Sequence, residues 1–172
     1  MFIDVRGFTS LSEVLPPTEM AQRLNRFYAL AGEVIFDLDG TLDKLIGDEV
    51  MAFFGAPYRS DDHPMRAVQA ANRIIKGVEG LAEEAHFSVG GGVATGEAFV
   101  GNVGGDEIAD FTVLGDVVNT ASRLQSMAKP GEIILTEETY EAVEKEFPNA
   151  EQRTLELKGK SQPVAARVIR AW

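Results

Sequence analysis

Apolar residues along this chain follow two spacings, and each spacing predicts one kind of element. Met20, Leu24, Phe27, Ala31 and Val34 lie three or four residues apart, as on one face of an α-helix. The same spacing predicts helices from about residue 61, from residue 116 and over 137–147. Thr18 is the predicted N-cap of the first of these helices. Before it, the capping-box pattern of residues 10–13 predicts a short helix that stops at the proline pair 16–17.

Short apolar runs bounded by glycine or polar turn residues predict the strands. These runs cover residues 41–46, 49–54, 87–94, 98–103, 111–114, 133–135, 153–157 and 164–169. Gly47 and Asp48 separate the first two runs, so we expect a tight β-hairpin with Asp48 at its tip. Because helices and hairpins are mixed along the chain, the expected fold class is α+β, a sheet flanked by helices.

Composition and charge narrow the range of functions. The 172 residues, 45% of them hydrophobic, are enough for one substantial core, so a single domain is expected over 1–172. The absence of cysteine excludes disulfides, zinc–thiolate sites and thiol nucleophiles. A net charge of −11 argues against binding to duplex nucleic acid, which requires a basic face. No apolar run approaches the roughly 20 residues that span a bilayer, so no membrane contact by this domain is expected.

The start of the chain suggests that it was cut from something longer. Only three residues precede Asp4, which is too few for a full first strand. We therefore expect a longer parent protein with an upstream regulatory domain. A cytoplasmic location is expected for this domain, and a membrane anchor in the parent is compatible with it.

Two aspartates at predicted strand ends are candidate metal ligands. Asp4 ends the first apolar run, and Asp48 occupies the hairpin tip. Oxygen ligands suit Mg²⁺ or Mn²⁺, which take substrate phosphates as further ligands. Gly7, Phe8 and Thr9 follow Asp4 at a helix start, where free N–H groups form an anion cradle. Either aspartate alone is typical of a solvated turn, but a metal ligand beside a phosphate cradle favours a metal–phosphate site.

Four other residues and one basic turn carry polar groups that suit a nucleotide, although none decides the question alone. Asn119 and Arg123 lie four residues apart on one helix face, where they suit a ribose oxygen and a phosphate or form an ordinary polar surface. Lys44 and Thr112 offer an ammonium and a hydroxyl that suit a purine edge, and each is equally typical of a plain strand. The basic turn at 158–160 is equally typical of a solvated loop.

Together these segments resemble the catalytic domain of class III adenylate/guanylate cyclases. The matching segments are residues 2–9, 42–48, 92–97, 111–123 and 157–160, in the order and spacing of that family. The similarity covers nearly the whole chain. It implies a ferredoxin-like βαββαβ-type sheet flanked by helices, which is the class III nucleotide cyclase fold.

The resemblance also implies a role for each candidate residue in a head-to-tail homodimer whose nucleotide sites lie between the chains. Asp4 and Asp48, with the Val5 carbonyl, would hold two Mg²⁺ or Mn²⁺ ions. Gly7, Phe8 and Thr9 would cradle the β- and γ-phosphates. The partner would supply Lys44 and Thr112 to the base, Asn119 to the ribose, Arg123 to the α-phosphate and Lys158 to the terminal phosphates, with Lys160 the alternative to Lys158. The implied reaction converts ATP to 3′,5′-cyclic AMP and pyrophosphate.

The two base-reading positions favour ATP over GTP. Many adenylate cyclases have Asp where this chain has Thr112, whereas guanylate-specific members have Glu and a small residue at these positions. Lys44 with Thr112 resembles a bacterial adenylate variant, because lysine donates to the adenine N1 acceptor while guanine N1 carries a proton. A guanylate cyclase of the same family remains the alternative.

Other readings compete with a cyclase. Residues 36–42 resemble the nucleophile motif of haloacid-dehalogenase-type phosphatases, which must follow a buried parallel strand, whereas here it follows a predicted amphipathic helix. Residues 104–108 resemble the diguanylate cyclase hairpin and are expected to form a surface loop. A non-catalytic nucleotide-sensing dimerisation domain would have lost a metal aspartate, Asn119 or Arg123, and this chain retains them all.

Overall fold

Seven strands of this chain form one sheet, and two further strands form a hairpin against it. The computed structural model describes residues 1–81, 87–105, 108–159 and 162–172. In chain order the elements are β1 (Phe2–Arg6), α1 (Phe8–Val14), α2 (Pro17–Asp37), β2 (Thr41–Ile46), β3 (Glu49–Phe53), α3 (His63–Gly80), β4 (Ser88–Val93), β5 (Phe99–Gly105), β6 (Ile108–Leu114), α4 (Asp116–Met127), β7 (Glu132–Thr136), α5 (Glu137–Glu141), β8 (Glu151–Leu155) and β9 (Val164–Arg170). Within the described ranges, no helix has both the length and the apolar character needed to cross a membrane.

The main sheet has the strand order β2-β3-β1-β4-β7-β9-β8, and β5 and β6 pair only with each other. All neighbours in the main sheet are antiparallel except β4 and β7. The segment from β1 through α2, β2, β3 and α3 to β4 gives a βαββαβ unit with the order β2-β3-β1-β4. The predicted α+β class and ferredoxin-like core are therefore confirmed.

The two faces of the sheet are covered by different elements. Along β1, Ile3 and Val5 face α2 and α3, where the largest apolar cluster lies. Phe2 faces the other side, where it packs with Val113 of β6 and Ala121 of α4. Because side chains alternate along a strand, Asp4 and Arg6 lie on the same side as Phe2. This arrangement places the first candidate ligand under α4 and the β5–β6 hairpin.

Both N-cap predictions for the first two helices are wrong. Helix α1 begins at Phe8, and its N-cap is Gly7 in the left-handed region (φ 73°), so Ser10 lies inside the helix. The left-handed glycine lets the chain turn directly from β1 into the helix, which leaves no room for a separate cap. Helix α2 begins at Pro17, whose fixed φ suits the first helical position, and Thr18 lies in its first turn.

The helix predicted from residue 116 begins at Asp116, with Gly115 as its N-cap. Two other predictions change in extent. The helix predicted over 137–147 ends at Glu141, after which Val143 N–H donates to the Tyr140 carbonyl (2.8 Å) and the chain turns. Of the loop predicted at 104–108, residues 104, 105 and 108 belong to paired strands, and Asp106 and Glu107 lie outside the described residues.

The phosphatase-like motif at 36–42 forms the end of a helix and a turn. Asp37 is the last residue of α2 and pairs with Arg73 (2.9 Å), and Asp39 follows it and pairs with Arg66. Neither carboxylate follows a buried parallel strand, so the motif lacks the context that a phosphatase nucleophile requires.

The close approach of α4 to β4 gives a test of the packing. A Cβ added to Gly92 would lie 2.3 Å from both the Ala121 carbonyl oxygen and the Gln125 nitrogen, which are backbone atoms. Gly92→Ala should therefore push α4 away and destabilise the fold by about 1–3 kcal/mol. The melting temperature should fall by about 2–4 °C for each kcal/mol in a domain of this size.

Gly80→Ala is the matched control for this substitution. Apart from its chain neighbours and its own helix, no heavy atom of the described residues lies within 4 Å of a Cβ at Gly80, so the melting temperature of Gly80→Ala should stay close to the parent value. Equal melting temperatures for Gly92→Ala and the parent would contradict the close packing of α4 on the sheet.

Candidate active site

The structure brings Asp4, Val5 and Asp48 together at one end of β1. Asp4 lies opposite Glu49 of β3 and Gly90 of β4. Asp48 follows Gly47, whose φ of 62° makes the tight turn between β2 and β3. The Val5 N–H donates to the Asp48 carbonyl (3.4 Å), and the Asp4 carboxyl group lies close enough to that of Asp48 to raise its pKa. The predicted hairpin tip therefore carries its carboxylate directly to the predicted strand-end carboxylate.

Glu49 adds a third carboxyl group that sequence reasoning missed. It follows Asp48, faces Asp4 across the β1–β3 ladder and is half-buried. Burial, followed by the charges of Asp4 and Asp48, raises the pKa of Glu49 to about 7. Burial, followed by the hydrogen bond and charge of Asp4, raises the pKa of Asp48 to about 6. The register between β1 and β3 identifies Glu49, because it places this residue opposite Asp4.

Arg6 is the cation that partly balances these carboxylates. Its guanidinium pairs with the Asp4 carboxylate (2.7 Å) and donates to the carbonyls of Gln125 (3.3 Å) and Ala128 (3.1 Å) at the end of α4. Cations are favoured at helix C-termini, so α4 helps to hold Arg6 in place. The sequence carried a signal for this pair, because residues two apart on a strand share a face.

Tyr28, on α2, binds the tip of the β2–β3 hairpin. Its hydroxyl donates to the Gly47 carbonyl, next to Asp48. Burial, with a smaller contribution from the Asp48 charge, raises the pKa of Tyr28 above its ordinary value. No local sequence pattern pointed to Tyr28, because it lies 19 residues from Gly47.

The predicted phosphate cradle lies directly after Arg6. Gly7 is exposed, and α1 starts at Phe8. The Leu11 N–H donates to the Gly7 carbonyl (3.1 Å), so the first intrahelical bond closes there and the earlier N–H groups of Phe8 and Thr9 have no intrahelical acceptor. Beyond the chain neighbours of Gly7, no heavy atom of the described residues lies within 4 Å of the position that a Cβ on Gly7 would take, so the space beside this turn is open.

Lys44 and Thr112 meet at a bulge in β2. The β2–β3 register shifts between Leu42 and Lys44, which places Asp43 beside β6. Thr112 donates to Asp43 Oδ2 (3.0 Å), and Lys44 Nζ lies 3.6 Å from the same oxygen. Lys44 also pairs with Asp110, and this hydrogen bond is the largest cause of a raised pKa of Lys44. Sequence reasoning paired Lys44 with Thr112 but missed Asp43, which joins them.

Asn119 and Arg123 lie on α4 on the side away from the buried residues Ala121 and Leu124. Asn119 is exposed and Arg123 is half-buried. The position of a Cβ on Gly159 would be 3.2 Å from Arg123 Nη2, so the guanidinium lies against the 158–159 turn. Lys158 is exposed in that turn, whereas Lys160 lies outside the described residues.

The candidate residues therefore fall into separate groups within one chain. In the described part of the chain, no hydrogen bond or ion pair links the carboxylates of Asp4 and Asp48 to the second set, which consists of Lys44, Thr112, Asn119, Arg123 and Lys158. Among the described residues, no group of three or more His, Cys, Asp or Glu side chains has a geometry that could hold a metal ion. The carboxylate pair thus supplies only part of any metal coordination shell.

The raised pKa values predict how stability changes with pH in the absence of divalent cations. Asp48 and Glu49 release their protons near pH 6 and 7 in the folded chain, compared with 3.8 and 4.5 ordinarily. The folded state thus binds more protons between about pH 4 and 7, and these groups lower the free energy of unfolding as the pH rises. At pH 8 Asp48→Asn should melt at a higher temperature than the parent, by about 2–4 °C for each kcal/mol of unfavourable charge energy that it removes. Near pH 4 the two proteins should have the same melting temperature.

Thermal unfolding in a chelator at both pH values measures this difference. Asp61→Asn, which neutralises an exposed carboxylate before α3, is the control and should show no such pH-dependent gain. A melting-temperature difference between Asp48→Asn and the parent that is the same at pH 4 and pH 8 would contradict the crowding of these carboxylates.

Comparison with known proteins identifies the family of this chain. The family model of the adenylate and guanylate cyclase catalytic domain matches residues 1–169. The uncharacterized protein Rv1318c of Mycobacterium tuberculosis is 33% identical over 168 residues, which cover 95% of this chain and 31% of that protein. The chain spans about a third of the length of the curated relatives it matches.

Solved structures agree with this match. The guanylyl cyclase Cya2 has a TM-score of 0.88 at 30% identity, covering 97% of this chain and 88% of that one. The adenylyl cyclase CyaB from P. aeruginosa has a TM-score of 0.87 at 32% identity, covering 99% and 92%. These similarities confirm the predicted class III cyclase fold. The chain belongs to the family of adenylate and guanylate cyclase catalytic domains.

Proposed function

We propose that this domain converts ATP to 3′,5′-cyclic AMP and pyrophosphate at sites shared between the two chains of a homodimer. The observation that carries the proposal is the contact between the Asp4 and Asp48 carboxyl groups at the end of β1. Burying two like charges together is unfavourable unless a cation or a proton joins them. The rest of the chain supplies anion-binding and base-binding groups that suit a nucleotide.

The carboxylate pair fits a divalent metal site. Its donors are carboxylate oxygens and a backbone carbonyl, which suit Mg²⁺ or Mn²⁺ and leave coordination positions for water and phosphate oxygens. In this assignment Asp4, Asp48 and the Val5 carbonyl hold two ions. The ions would make the ribose 3′-hydroxyl more acidic and offset negative charge on the phosphates.

The remaining residues bind and orient the nucleotide. The N–H groups at the start of α1, over Gly7, Phe8 and Thr9, receive the β- and γ-phosphates. Arg123 contacts the α-phosphate, Lys158 contacts the terminal phosphates, and Asn119 orients the ribose. In the reaction the 3′-oxygen forms a bond to the α-phosphorus, the bond to the bridging oxygen breaks, and pyrophosphate leaves while the hydroxyl proton passes to solvent. Arg123 then stabilises charge that grows in the transition state.

The division of these residues into separate groups favours a shared site. The β5–β6 hairpin exposes Phe99 (55%) and Leu114 (49%), which lie opposite each other across its two strands. Large apolar side chains clustered on one exposed surface are typical of a protein interface. A head-to-tail partner that covers this hairpin would bring its own Lys44, Thr112, Asn119 and Arg123 toward the carboxylates.

ATP is the proposed substrate because of the donor at the base position. The Lys44 ammonium offers only protons, and adenine N1 accepts a proton whereas guanine N1 carries one. The similar structures include both an adenylyl and a guanylyl cyclase, so a GTP cyclase is the competing assignment. We further propose that the domain belongs to a longer protein with an upstream regulatory domain.

A turnover assay with ATP and GTP, each in Mg²⁺ and in Mn²⁺, tests the function directly. We expect cyclic AMP and pyrophosphate from ATP, and a reduction of at least about 100-fold in kcat for Asp4→Ala and for Asp48→Ala. Asp61→Ala removes an exposed carboxylate elsewhere and should keep parental activity. Release of inorganic phosphate without a cyclic product, or near-normal kcat in either site variant, would exclude the proposed chemistry.

Mixing two inactive variants tests the shared site. Asp48→Ala and Arg123→Ala should each be nearly inactive alone, because each removes one half of both sites. In their heterodimer one site carries both lesions and the other carries neither, so activity should return on mixing and rise with protein concentration. The control is a mixture of Asp4→Ala with Asp48→Ala, which leaves a lesion in every site and should stay inactive. If activity does not recover in a sample shown to contain heterodimers, the proposal of a site shared between the chains is excluded.

A further inference from the structure

Asp43 is a buried carboxylate that connects the two proposed base-reading residues. Its side chain is 0% exposed, although its neighbour Lys44 is 35% exposed. Its Oδ2 atom accepts from the Thr112 hydroxyl (3.0 Å) and lies 3.6 Å from Lys44 Nζ. Its Oδ1 atom is buried and has no hydrogen-bond partner among the described residues. A buried carboxylate that leaves one oxygen unpaired is costly, so its presence here points to a function that requires it.

The contact with Asp43 fixes the direction in which Thr112 hydrogen-bonds. A threonine hydroxyl has one proton, and without a fixed partner it donates or accepts as its neighbour requires. Here the proton is committed to Asp43 Oδ2, which also faces the Lys44 ammonium and so acts as an acceptor. Thr112 is 6% exposed, so few water molecules compete for this proton. Only the lone pairs of Thr112 Oγ1 remain available to a ligand.

The resulting pair presents one donor and one acceptor. Lys44 donates, with three protons to share among Asp43, Asp110 and a ligand. Thr112 accepts. The edge of adenine carries an acceptor at N1 beside a donor, the 6-amino group, and therefore complements this pair. Guanine carries a donor at N1 beside an acceptor, O6, and opposes it at both positions.

We infer that Asp43 is a positioning residue that selects ATP over GTP by holding Thr112 as a hydrogen-bond acceptor. The inference rests on the proposed function, because it assumes that Lys44 and Thr112 contact the base. In this arrangement Asp43 does not contact the base itself. It decides whether the Thr112 hydroxyl donates or accepts, which the threonine alone would leave open. It also accounts for the bulge in β2, which brings Asp43 beside β6.

The test compares kcat/KM for ATP and GTP in the full chain and in Asp43→Leu, a variant of similar size that cannot accept a hydrogen bond. Once its proton is released, Thr112 is free to donate to guanine O6. The ATP:GTP ratio of kcat/KM should fall about tenfold, mainly through a lower KM for GTP. ITP, which shares the N1–H and O6 of guanine without its 2-amino group, should gain relative to ATP in the same way. A purely structural role would lower kcat/KM for all three nucleotides alike and leave the ratio unchanged, which would overturn the inference.

Thr112→Val provides the control background. This substitution removes the hydroxyl and should itself shift the ATP:GTP ratio, and adding Asp43→Leu should then produce no further shift. A further shift in that background would show that Asp43 acts without Thr112 and would overturn the inference. If Thr112→Val leaves the ratio unchanged while ATP is still cyclised, the base assignment and the inference both fail, but the cyclase chemistry stands.

Asp43→Ala keeps the test decisive if Asp43→Leu melts below the assay temperature. Alanine removes both carboxylate oxygens without filling the site, so Thr112 loses its fixed acceptor and is free to donate to a ligand. The ATP:GTP ratio should fall in this variant too. A ratio equal to that of the parent, in a variant whose melting temperature lies above the assay temperature, would overturn the inference.

Discussion

The contact between the Asp4 and Asp48 carboxyl groups is the interaction on which the rest of the site depends. Two carboxylates held together oppose folding, and burial, followed by the contact with Asp4, raises the pKa of Asp48 to about 6. The contact persists because the backbone around it is fixed by the core. Ile3 and Val50, which flank the two carboxylates on β1 and β3, are fully buried. The apolar cluster beneath α2 and α3 thus stabilises a local arrangement that is unfavourable by itself, as functional sites commonly require.

The neighbours of Asp4 and Asp48 offset the repulsion between these two carboxylates only in part. Arg6 pairs with Asp4, yet it also donates to two carbonyls at the end of α4, so its charge is shared. Tyr28 holds the hairpin tip by its backbone and brings no positive charge. Glu49 adds a further carboxyl group. The net charge of this group of side chains therefore remains negative, and a divalent cation would neutralise it. Binding such a cation would release the protons that Asp48 and Glu49 retain near neutral pH.

The sequence predicted the parts of the site that depend on local structure and missed those that depend on register. The Gly47-Asp48 turn was predicted because two residues between apolar runs are enough to define a hairpin. Glu49 was missed because its role arises from the pairing of β1 with β3, which is a long-range contact. Arg6 had a local signal in its spacing from Asp4, but its contacts with the end of α4 depend on how that helix docks. Asp43 was missed because only a bulge places it beside Thr112, and nothing in strict strand alternation indicates a bulge. The cap of α1 was misplaced for a related reason, since Gly7 had been considered for phosphate binding and not for its left-handed turn.

Helix α4 shows how one element serves both packing and chemistry. Its backbone lies so close to β4 that only glycine fits at position 92, and its C-terminal carbonyls hold Arg6 against Asp4. Its opposite side presents Asn119 and Arg123, and the Gly159 turn lies against Arg123. A side chain on that outer surface points away from the carboxylates that the inner surface helps to position. A single helix therefore has little means of serving both halves of one site, whereas two copies related by a twofold axis allow each helix to serve one half of each site.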